Sequence, residues 1–243
     1  MEKKILFLDY DGVLFDTLKE VYIVNRYLYF GTDFSKEIDE KNYELYSKYK
    51  FLVYNIWMFN YYNPLLFENI KEEEIVPKFQ KAISNRNLEE ERKYCEKFLR
   101  IRSDLIKDNY EFWKNLETPF NFFFEIKKLY EEKNIDVIIA SKKNKSAIVE
   151  RFQANNFNLD EKFIFAREIL DNFQTKGEFI KDYMDKNSFT KAIFVDDNPN
   201  NTKTCNGINN VETILASWGN GGDEFKGLNQ EEAILKIKEF FSK

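Results

Sequence analysis

The strongest constraint on the fold is a short apolar run near the start of the chain that ends in two acids. Ile5-Leu6-Phe7-Leu8 is followed directly by Asp9-Tyr10-Asp11-Gly12. An uninterrupted apolar run of this length is typical of a buried strand. Because successive strand residues point to opposite faces, Asp9 and Asp11 can project together only where the strand gives way to a loop. The sequence therefore predicts two carboxylates at a strand's carboxyl end, where open α/β sheets bind ligands.

Two interpretations of this acidic motif are open. In the first, one carboxylate attacks a substrate or holds a metal while its neighbour moves protons. In the second, both side chains only accept hydrogen bonds from loop amides after a buried strand. A calcium-binding EF-hand loop fits worse, because Val13 and Leu14 stand where that pattern needs an oxygen ligand and a glycine.

Two later apolar runs also end in polar residues. Ile135–Ala140 precedes Ser141, and Lys191–Val195 precedes Asp196 and Asp197. Taken singly, the serine is explained as a helix cap and the acid pair as part of a turn. Taken with the first run, they predict several polar groups at one edge of a parallel sheet.

A capping-box pattern lies between these two runs. Thr175 would cap a helix and Glu178 would reach back to it, which places Lys176 in the first helical turn. The helix dipole opposes a cation there by about 0.3–1 kcal/mol, and a bound anion would remove the conflict. We therefore expect removal of the lysine to leave stability unchanged or slightly raised. The alternative is an ordinary solvated lysine.

Together the four segments resemble the motifs of the haloacid dehalogenase (HAD) superfamily of phosphatases, and they occur in that family's order. The matching residues are Asp9-Tyr10-Asp11-Gly12-Val13, Ser141, Lys176 and Asp196-Asp197. The core that they define covers about half of the chain. The resemblance implies an α/β fold: a HAD-like Rossmannoid parallel sheet with helices on both faces, plus an inserted all-α cap domain.

The resemblance also implies roles for single residues. Asp9 would be the nucleophile that forms an aspartyl-phosphate, and Asp11 the general acid and base. The implied cofactor is Mg²⁺, held by the Asp9 carboxylate, the Asp11 backbone carbonyl and Asp197, with Asp196 nearby. The implied phosphate contacts are Ser141, Lys176 and the backbone N–H groups of Tyr10, Asp11 and Lys142. Asn201 is expected to orient Asp197.

The second acid selects among the activities of that superfamily. Asp11 favours a phosphatase or phosphomutase, because dehalogenases lack this acid and ATPase pumps carry threonine there. The expected function is hydrolysis of a small phosphomonoester: a sugar phosphate, an amino-alcohol or amino-acid phosphate, or a nucleotide. A phosphomutase, or a non-catalytic binding protein with the same fold, remains as an alternative.

The order of predicted elements indicates a discontinuous core. Strands are predicted at Lys4–Asp9, Ile135–Ala140, Lys162–Phe165, Lys191–Asp196 and Val211–Ala216. Helices are predicted between the first two of them, over Thr17–Phe30, Ile38–Asn60, Glu68–Ser84 and Leu88–Trp113. Residues 1–16 and 118–243 would form the core, and residues 17–117 resemble the C1 cap of the HAD family.

The predicted cap is rich in aromatic residues, most of which we expect in its own core. One face of its first helix is more polar and carries Lys19, Tyr22, Arg26 and Tyr29. This face is interpreted as a lip over the site that selects the substrate, and the alternative is a solvated edge.

Composition narrows the chemistry further. The 243 residues include no histidine, which excludes histidine-based catalysis and histidine-ligated zinc and leaves proton transfer to carboxylates. The net charge of −5 gives no reason to expect a nucleic-acid partner. The two cysteines, and the absence of a signal peptide or a membrane-spanning run, favour a cytoplasmic protein with no membrane partner. Oligomeric state is open.

Overall fold

The computed structural model describes residues 2–31, 39–68, 70–133, 135–220 and 226–242. The described strands are, in chain order, Lys4–Leu8 (β1), Phe15–Asp16 (β2), Thr118–Pro119 (β3), Asp136–Ala140 (β4), Ile164–Phe165 (β5), Lys191–Asp196 (β6) and Val211–Leu215 (β7). The main sheet is parallel with the order β5-β4-β1-β6-β7. The predicted α/β class and its parallel sheet are confirmed.

The described helices form two groups: the first six lie between β2 and β3, and the others follow β3, β4, β5, β6 and β7. They are Leu18–Phe30 (α1), Glu40–Tyr49 (α2), Phe59–Phe67 (α3), Glu72–Ser84 (α4), Leu88–Asp108 (α5), Tyr110–Lys114 (α6), Asn121–Lys133 (α7), Lys145–Ala154 (α8), Arg167–Leu170 (α9), Lys176–Asn187 (α10), Pro199–Lys203 (α11) and Gln230–Ser242 (α12). Short 3-10 helices lie at Lys50–Leu52, Ile56–Met58 and Glu161–Phe163. None of the helices within the described ranges combines the length and apolar character needed to cross a bilayer.

The centre of the sheet is buried on both faces. Leu6 and Leu8 of β1 belong to one apolar cluster, whereas Ile5 and Phe7 belong to another on the opposite face. The same alternation continues on β4 and β6, which flank β1. Burial on two faces explains why these strands read as uninterrupted apolar runs in the sequence.

The sheet order creates a crevice beside β1. The chain passes from β1 to β4 and β5 on one side and then to β6 and β7 on the other. β1 and β6 pair in parallel from Lys4 opposite Lys191 to Leu8 opposite Val195. Such a reversal of strand order opens a ligand-binding crevice at the carboxyl ends of the strands. Asp9 directly follows β1, and Asp196 ends β6, so both stand at this edge.

The described chain divides into two compact units. One consists of Met1–Asp16 and Thr118–Lys243 and contains the sheet, and the other is Thr17–Glu117. The chain leaves the first unit after Asp16 and returns to it at Thr118. These two points are joined by a small antiparallel ribbon, in which Phe15 pairs with Pro119 and Asp16 with Thr118. That the helical unit acts as a C1-type cap remains a prediction.

The helical unit is built around aromatic rings. The Tyr46 ring contacts Tyr22, Phe59 and Tyr62, and Phe59 stacks on Phe98 at 6.1 Å between centroids. The Tyr62 hydroxyl donates to the Tyr46 carbonyl at 2.6 Å, which satisfies a polar group inside the cluster. The predicted stretch Ile38–Asn60 is not one helix: residue 38 lies outside the described residues, and two 3-10 turns separate α2 from α3.

Candidate active site

The loop after β1 is tightly wound. The Asp9 amide still donates to the Val195 carbonyl of β6 at 3.0 Å, so the residue extends the strand. The Tyr10 carbonyl then accepts from three successive amides, those of Val13, Leu14 and Phe15. This reversal lets the Asp9 and Asp11 side chains leave the sheet at the same edge. The predicted exit of the strand into a loop therefore has a defined turn geometry.

Gly12 makes the turn possible for two physical reasons. Its φ of +75° lies in the region that residues with a side chain avoid. In addition, a Cβ at this position would lie 2.0 Å from Oδ2 of Asp197. The absence of a side chain thus lets the backbone of the Asp9 loop approach the acid pair after β6.

Three of the predicted acids come together at the carboxyl edge of the sheet. Asp9, Asp196 and Asp197 are buried, and one carboxylate oxygen from each lies within 4.8 Å of the others. Asp11 lies in the same loop as Asp9 with its side chain partly exposed. The fold therefore gathers these carboxylates from β1 and β6, which are far apart in the chain.

Lys176 joins two of these acids. Its Nζ atom lies 2.7 Å from Oδ2 of Asp196 and 2.8 Å from Oδ2 of Asp9, and the residue is 5% exposed. Thr175 caps α10 as predicted, accepting the Glu178 amide at 3.1 Å. The Glu178 carboxylate, however, accepts the Gln174 amide rather than that of Thr175.

The packing of α10 against α11 brings this lysine into place. The Gly177 amide donates to the Thr204 hydroxyl at 2.9 Å. A Cβ on Gly177 would lie 2.2 Å from the Thr204 carbonyl oxygen. Only glycine therefore allows the start of α10 to approach this closely. The interpretation of Lys176 as a solvated lysine is wrong, because it is buried against carboxylates.

The charges in the cluster are unevenly compensated. Burial raises the pKa of Asp9 to about 8; Lys176 opposes this rise, and the neighbouring acids add to it. Burial by itself would lower the pKa of Lys176, but Asp196 and Asp9 outweigh it and raise that pKa above its ordinary value. The lysine thus stays charged, and burial favours the protonated form of Asp9.

Asp196 is held by several donors besides the lysine. The Asn198 amide donates to Oδ1 at 2.8 Å, and the Asn201 side chain donates to both carboxylate oxygens at 3.1 Å. The expectation that Asn201 orients Asp197 is therefore wrong: the first turn of α11 directs its amide group back onto Asp196.

Asp197 is oriented by the loop after β7, which sequence reasoning missed. The Asn220 amide donates to Oδ2 of Asp197 at 2.7 Å. Two residues earlier, the Trp218 ring nitrogen donates to the Val13 carbonyl at 3.0 Å. This loop therefore ties the Asp9 loop and Asp197 together. The tryptophan and the glycines that follow it from Gly219 onward, directly after a predicted strand, are a local sequence signal for this loop.

The predicted phosphate contacts have different surroundings. Ser141 is buried, and its Oγ accepts the Lys143 amide at 3.4 Å. The Lys142 side chain is half exposed, 3.9 Å from Asp171. The Tyr10 amide donates to Oδ1 of Asp9 at 2.7 Å and so orients the carboxylate of the nucleophile candidate, while its contact with phosphate remains a prediction. Ser141 follows β4, which is hydrogen-bonded to β1 and so places the serine beside the Asp9 loop.

Lys143 is a second residue that sequence reasoning did not single out for the site. Its side chain is fully buried, and its Nζ lies 3.4 Å from Oδ1 of Asp11. The same ammonium group lies 5.2 Å from the centre of the Tyr10 ring. The sequence offers three lysines close together, Lys142, Lys143 and Lys145, and nothing local distinguishes the buried one.

The four residues predicted to form a polar lip do not share one environment. Lys19 is exposed and Arg26 is partly exposed, and the Tyr29 hydroxyl donates to Glu68 at 2.5 Å. Tyr22, in contrast, is 1% exposed and packs against Tyr43, Tyr46 and Phe67 inside the helical unit. Placing Tyr22 on the same polar surface is wrong, because its ring fills the core.

The acid cluster has the chemistry of a divalent-cation site. Asp9, Asp196 and Asp197 converge within 4.8 Å, and Lys176 contacts two of these three carboxylates. Converging buried carboxylates repel one another and are costly to desolvate, and a hard cation with oxygen ligands would offset that cost. Burial is the main cause of the raised pKa of Asp9, and repulsion from Asp196, Asp197 and Asp11 adds to it. These residues therefore fit Mg²⁺.

Comparison of the sequence with protein-family models and with curated proteins finds no match. Solved structures are similar over nearly the whole chain. A predicted phosphatase from Clostridium acetobutylicum has a TM-score of 0.58 at 15% identity, covering 98% of this chain and 100% of its own. A candidate phosphoglycolate phosphatase from Lactobacillus delbrueckii subsp. bulgaricus has a TM-score of 0.62 at 13% identity, with coverages of 98% and 99%.

A third similar structure names the superfamily. It is a HAD-superfamily hydrolase of subfamily IA, variant 1, from Geobacter sulfurreducens PCA, with a TM-score of 0.53 at 11% identity. The alignment covers 97% of this chain and 95% of the other. At these identities the likeness concerns the fold, and it agrees with the resemblance found in the motifs. The chain therefore has the fold of the haloacid dehalogenase superfamily.

Proposed function

We propose that this protein is a Mg²⁺-dependent phosphatase that hydrolyses a small phosphomonoester through an aspartyl-phosphate on Asp9. One observation carries the proposal: Asp9 is buried between Lys176 and the acid pair Asp196-Asp197 at the carboxyl edge of the sheet. A turn that only satisfied loop amides would have no need of a buried lysine and three converging acids. The phosphatases among the similar structures support the same activity.

The nucleophile is held in a defined orientation. Lys176 contacts one oxygen of the Asp9 carboxylate, and the Tyr10 amide donates to the other. Two donors on opposite oxygens fix the rotation of the carboxyl group before a substrate arrives. Because the carboxyl group is already fixed, it loses little rotational freedom when the transition state forms.

The reaction has two steps. In the first, the Asp9 carboxylate attacks phosphorus, the P–O bond to the leaving group breaks, and Asp11 gives its proton to the departing oxygen. In the second, water attacks the aspartyl-phosphate and Asp11 takes the proton of the water. Inorganic phosphate leaves and the Asp9 carboxylate is restored.

The negative charge of the phosphoryl group needs compensation. The carboxylates of Asp9 and Asp197 and the Asp11 carbonyl would hold Mg²⁺, with Asp196 nearby, and the bound cation would supply electrostatic stabilisation of the phosphoryl oxygens. Lys176, Ser141 and the amides of Asp11 and Lys142 contact the remaining oxygens. In this assignment Lys176 gives up part of its contact with Asp9 and contacts a phosphate oxygen of the substrate instead.

The substrate is proposed by class. A sugar phosphate, an amino-alcohol or amino-acid phosphate, or a nucleotide fits a site whose core residues address only the phosphate. Selection among these classes is assigned to the exposed part of the helical unit, with Lys19, Arg26 and Tyr29 as the candidate contacts. Tyr22 is left out because it is buried in that unit's core.

Phosphate release separates the alternatives. Wild-type protein with Mg²⁺ should release phosphate from p-nitrophenyl phosphate, and Asp9→Asn should abolish the release. Asp11→Asn should lose about 10²–10⁴-fold. An exposed acid of the same unit, Asp185, provides the control: Asp185→Asn should retain the wild-type rate. Beryllium fluoride should bind the wild type in an Asp9-dependent manner.

Other outcomes have defined meanings. Wild-type-like turnover by Asp9→Asn would exclude the covalent mechanism. Absence of turnover over a panel of metabolites, together with phosphate-ester binding, would favour a non-catalytic binding protein. Transfer of phosphate between positions of a sugar, with little release, would favour a phosphomutase.

A further inference from the structure

We infer that Lys143 is a positioning residue for Asp11, holding one carboxylate oxygen so that the other exchanges the proton with the substrate. The inference rests on the proposed phosphatase function. Lys143 is one of the largest fully buried side chains in the described chain, and its Nζ lies 3.4 Å from Oδ1 of Asp11.

Burial of this ammonium group needs an explanation. A lysine side chain without exposed surface loses the hydration of its charge, a cost that a well-placed anion or ring face must offset. Asp11 supplies the anion, and the face of the Tyr10 ring lies 5.2 Å away. Tyr10 in turn stacks on Phe15, with ring centroids 4.8 Å apart, so the ring cannot turn aside easily.

The backbone that carries the lysine is fixed from three directions. Ser141 donates its amide to the Phe165 carbonyl, and its hydroxyl accepts the Lys143 amide. The Arg167 amide donates to the Lys143 carbonyl at 3.1 Å, and its guanidinium donates to the Lys142 carbonyl at 2.6 Å. These contacts decide which of two adjacent lysines is buried toward Asp11.

In catalysis the two oxygens of the Asp11 carboxyl group therefore have different roles. Oδ1 contacts the lysine, and we assign to Oδ2 the proton that passes to the departing ester oxygen as the P–O bond breaks. A freely rotating carboxyl group would present the proton in a productive direction only part of the time. The contribution of Lys143 should therefore be large only where proton donation limits the reaction.

A series of aryl phosphates of similar size tests whether the contribution of Lys143 depends on the need for proton donation. Their leaving groups range from p-nitrophenol, which departs readily without a proton, through phenol to p-methoxyphenol, which needs one. The quantity to compare is kcat/KM, because it reports the steps through departure of the leaving group and not the later hydrolysis of the aspartyl-phosphate. Lys143→Met removes the ammonium group while keeping most of the side-chain volume.

We expect Lys143→Met to lower kcat/KM for p-methoxyphenyl phosphate by about 10–100-fold more than for p-nitrophenyl phosphate, a part of the effect of general acid catalysis. In an Asp11→Asn background the same change should add no leaving-group-dependent loss. Lys162→Met, which alters an exposed lysine of the same unit, should retain the wild-type values for all three substrates.

Each other result overturns a defined statement. An equal loss over the aryl series, or a leaving-group effect that persists without Asp11, would overturn the positioning role while leaving the phosphatase function intact. A wild type that hydrolyses none of the aryl phosphates would overturn the proposed function itself. If Lys143→Met does not fold, Lys143→Gln, which keeps a donor, should show a smaller effect in the same direction; failure of both to fold would assign the lysine to stability alone.

Discussion

The ammonium group of Lys176 lies 2.8 Å from Oδ2 of Asp9, and the same group lies 2.7 Å from Asp196. The start of α10, where the helix dipole opposes a cation, is therefore compensated by the protein's own carboxylates. The conflict inferred from the capping box exists, but the fold resolves it before any substrate binds. This changes the expected effect of removing the lysine.

Lys176→Met should lower stability as well as activity. The change leaves two buried carboxylates without their shared cation, a loss of the order of 3–5 kcal/mol when one partner of a buried pair is removed. Chemical denaturation in the presence of a chelator measures it. Lys181→Met, on the exposed side of the same helix, is the control and should change stability by less than about 0.5 kcal/mol. Unchanged stability of Lys176→Met would contradict the buried ion pair.

Magnesium should stabilise the protein more at pH 8 than at pH 6. Without a divalent cation, the pKa of Asp9 rises from 3.8 to about 8, so the folded state holds a proton that the unfolded state has lost. The free energy of unfolding therefore falls as pH rises from 3.8 to about 8. Bound Mg²⁺ requires the ionised carboxylate and offsets the loss.

Thermal unfolding with Mg²⁺ and with a chelator, at both pH values, measures this difference. In Asp9→Asn the increase of the Mg²⁺ effect with pH should become smaller, because the group that titrates in this window is gone. A stabilisation that is equal at the two pH values, or larger at pH 6, would show that Asp9 does not couple to the metal.

Gly12→Ala should disturb the acid cluster. An alanine Cβ at Gly12 would lie 2.0 Å from Oδ2 of Asp197, so the carboxylate must move, and activity should fall at least about tenfold, or 1.4 kcal/mol in the barrier. Gly207→Ala is the matched control: its φ is +88°, and no atom of the described residues lies within 4 Å of the added Cβ. The positive φ should cost each variant about 1–2 kcal/mol of stability, but only Gly12→Ala should also lose activity.

Arg26→Ala should affect substrate choice more than chemistry. If the exposed part of α1 contacts the substrate, kcat/KM for the native metabolite should fall far more than for p-nitrophenyl phosphate, which offers little to recognise. Arg92→Ala, at an exposed arginine of the same helical unit, is the control. Steady-state kinetics on both substrates decide the matter. Equal effects on each would assign Arg26 to a solvated edge.

The sequence by itself determined the strands and the polar residues that follow them. A strand buried on two faces needs an apolar run, and a helix start needs a capping residue, so β1, β4, β6 and Thr175 are visible in short local patterns. Parallel strands present their carboxyl ends at one edge, which is why the acids after β1 and β6 could be placed together without any knowledge of the packing.

Only the tertiary structure decided which neighbours these residues have. Lys142 and Lys143 are the same residue type at adjacent positions, and the contacts from Phe165 and Arg167 bury one and expose the other. The partner of Asn201 likewise depends on how the chain enters α11. Local sequence patterns specify which face of a helix or strand a residue occupies. The residues that it contacts on that face belong to elements distant in the chain, so no short-range pattern specifies them.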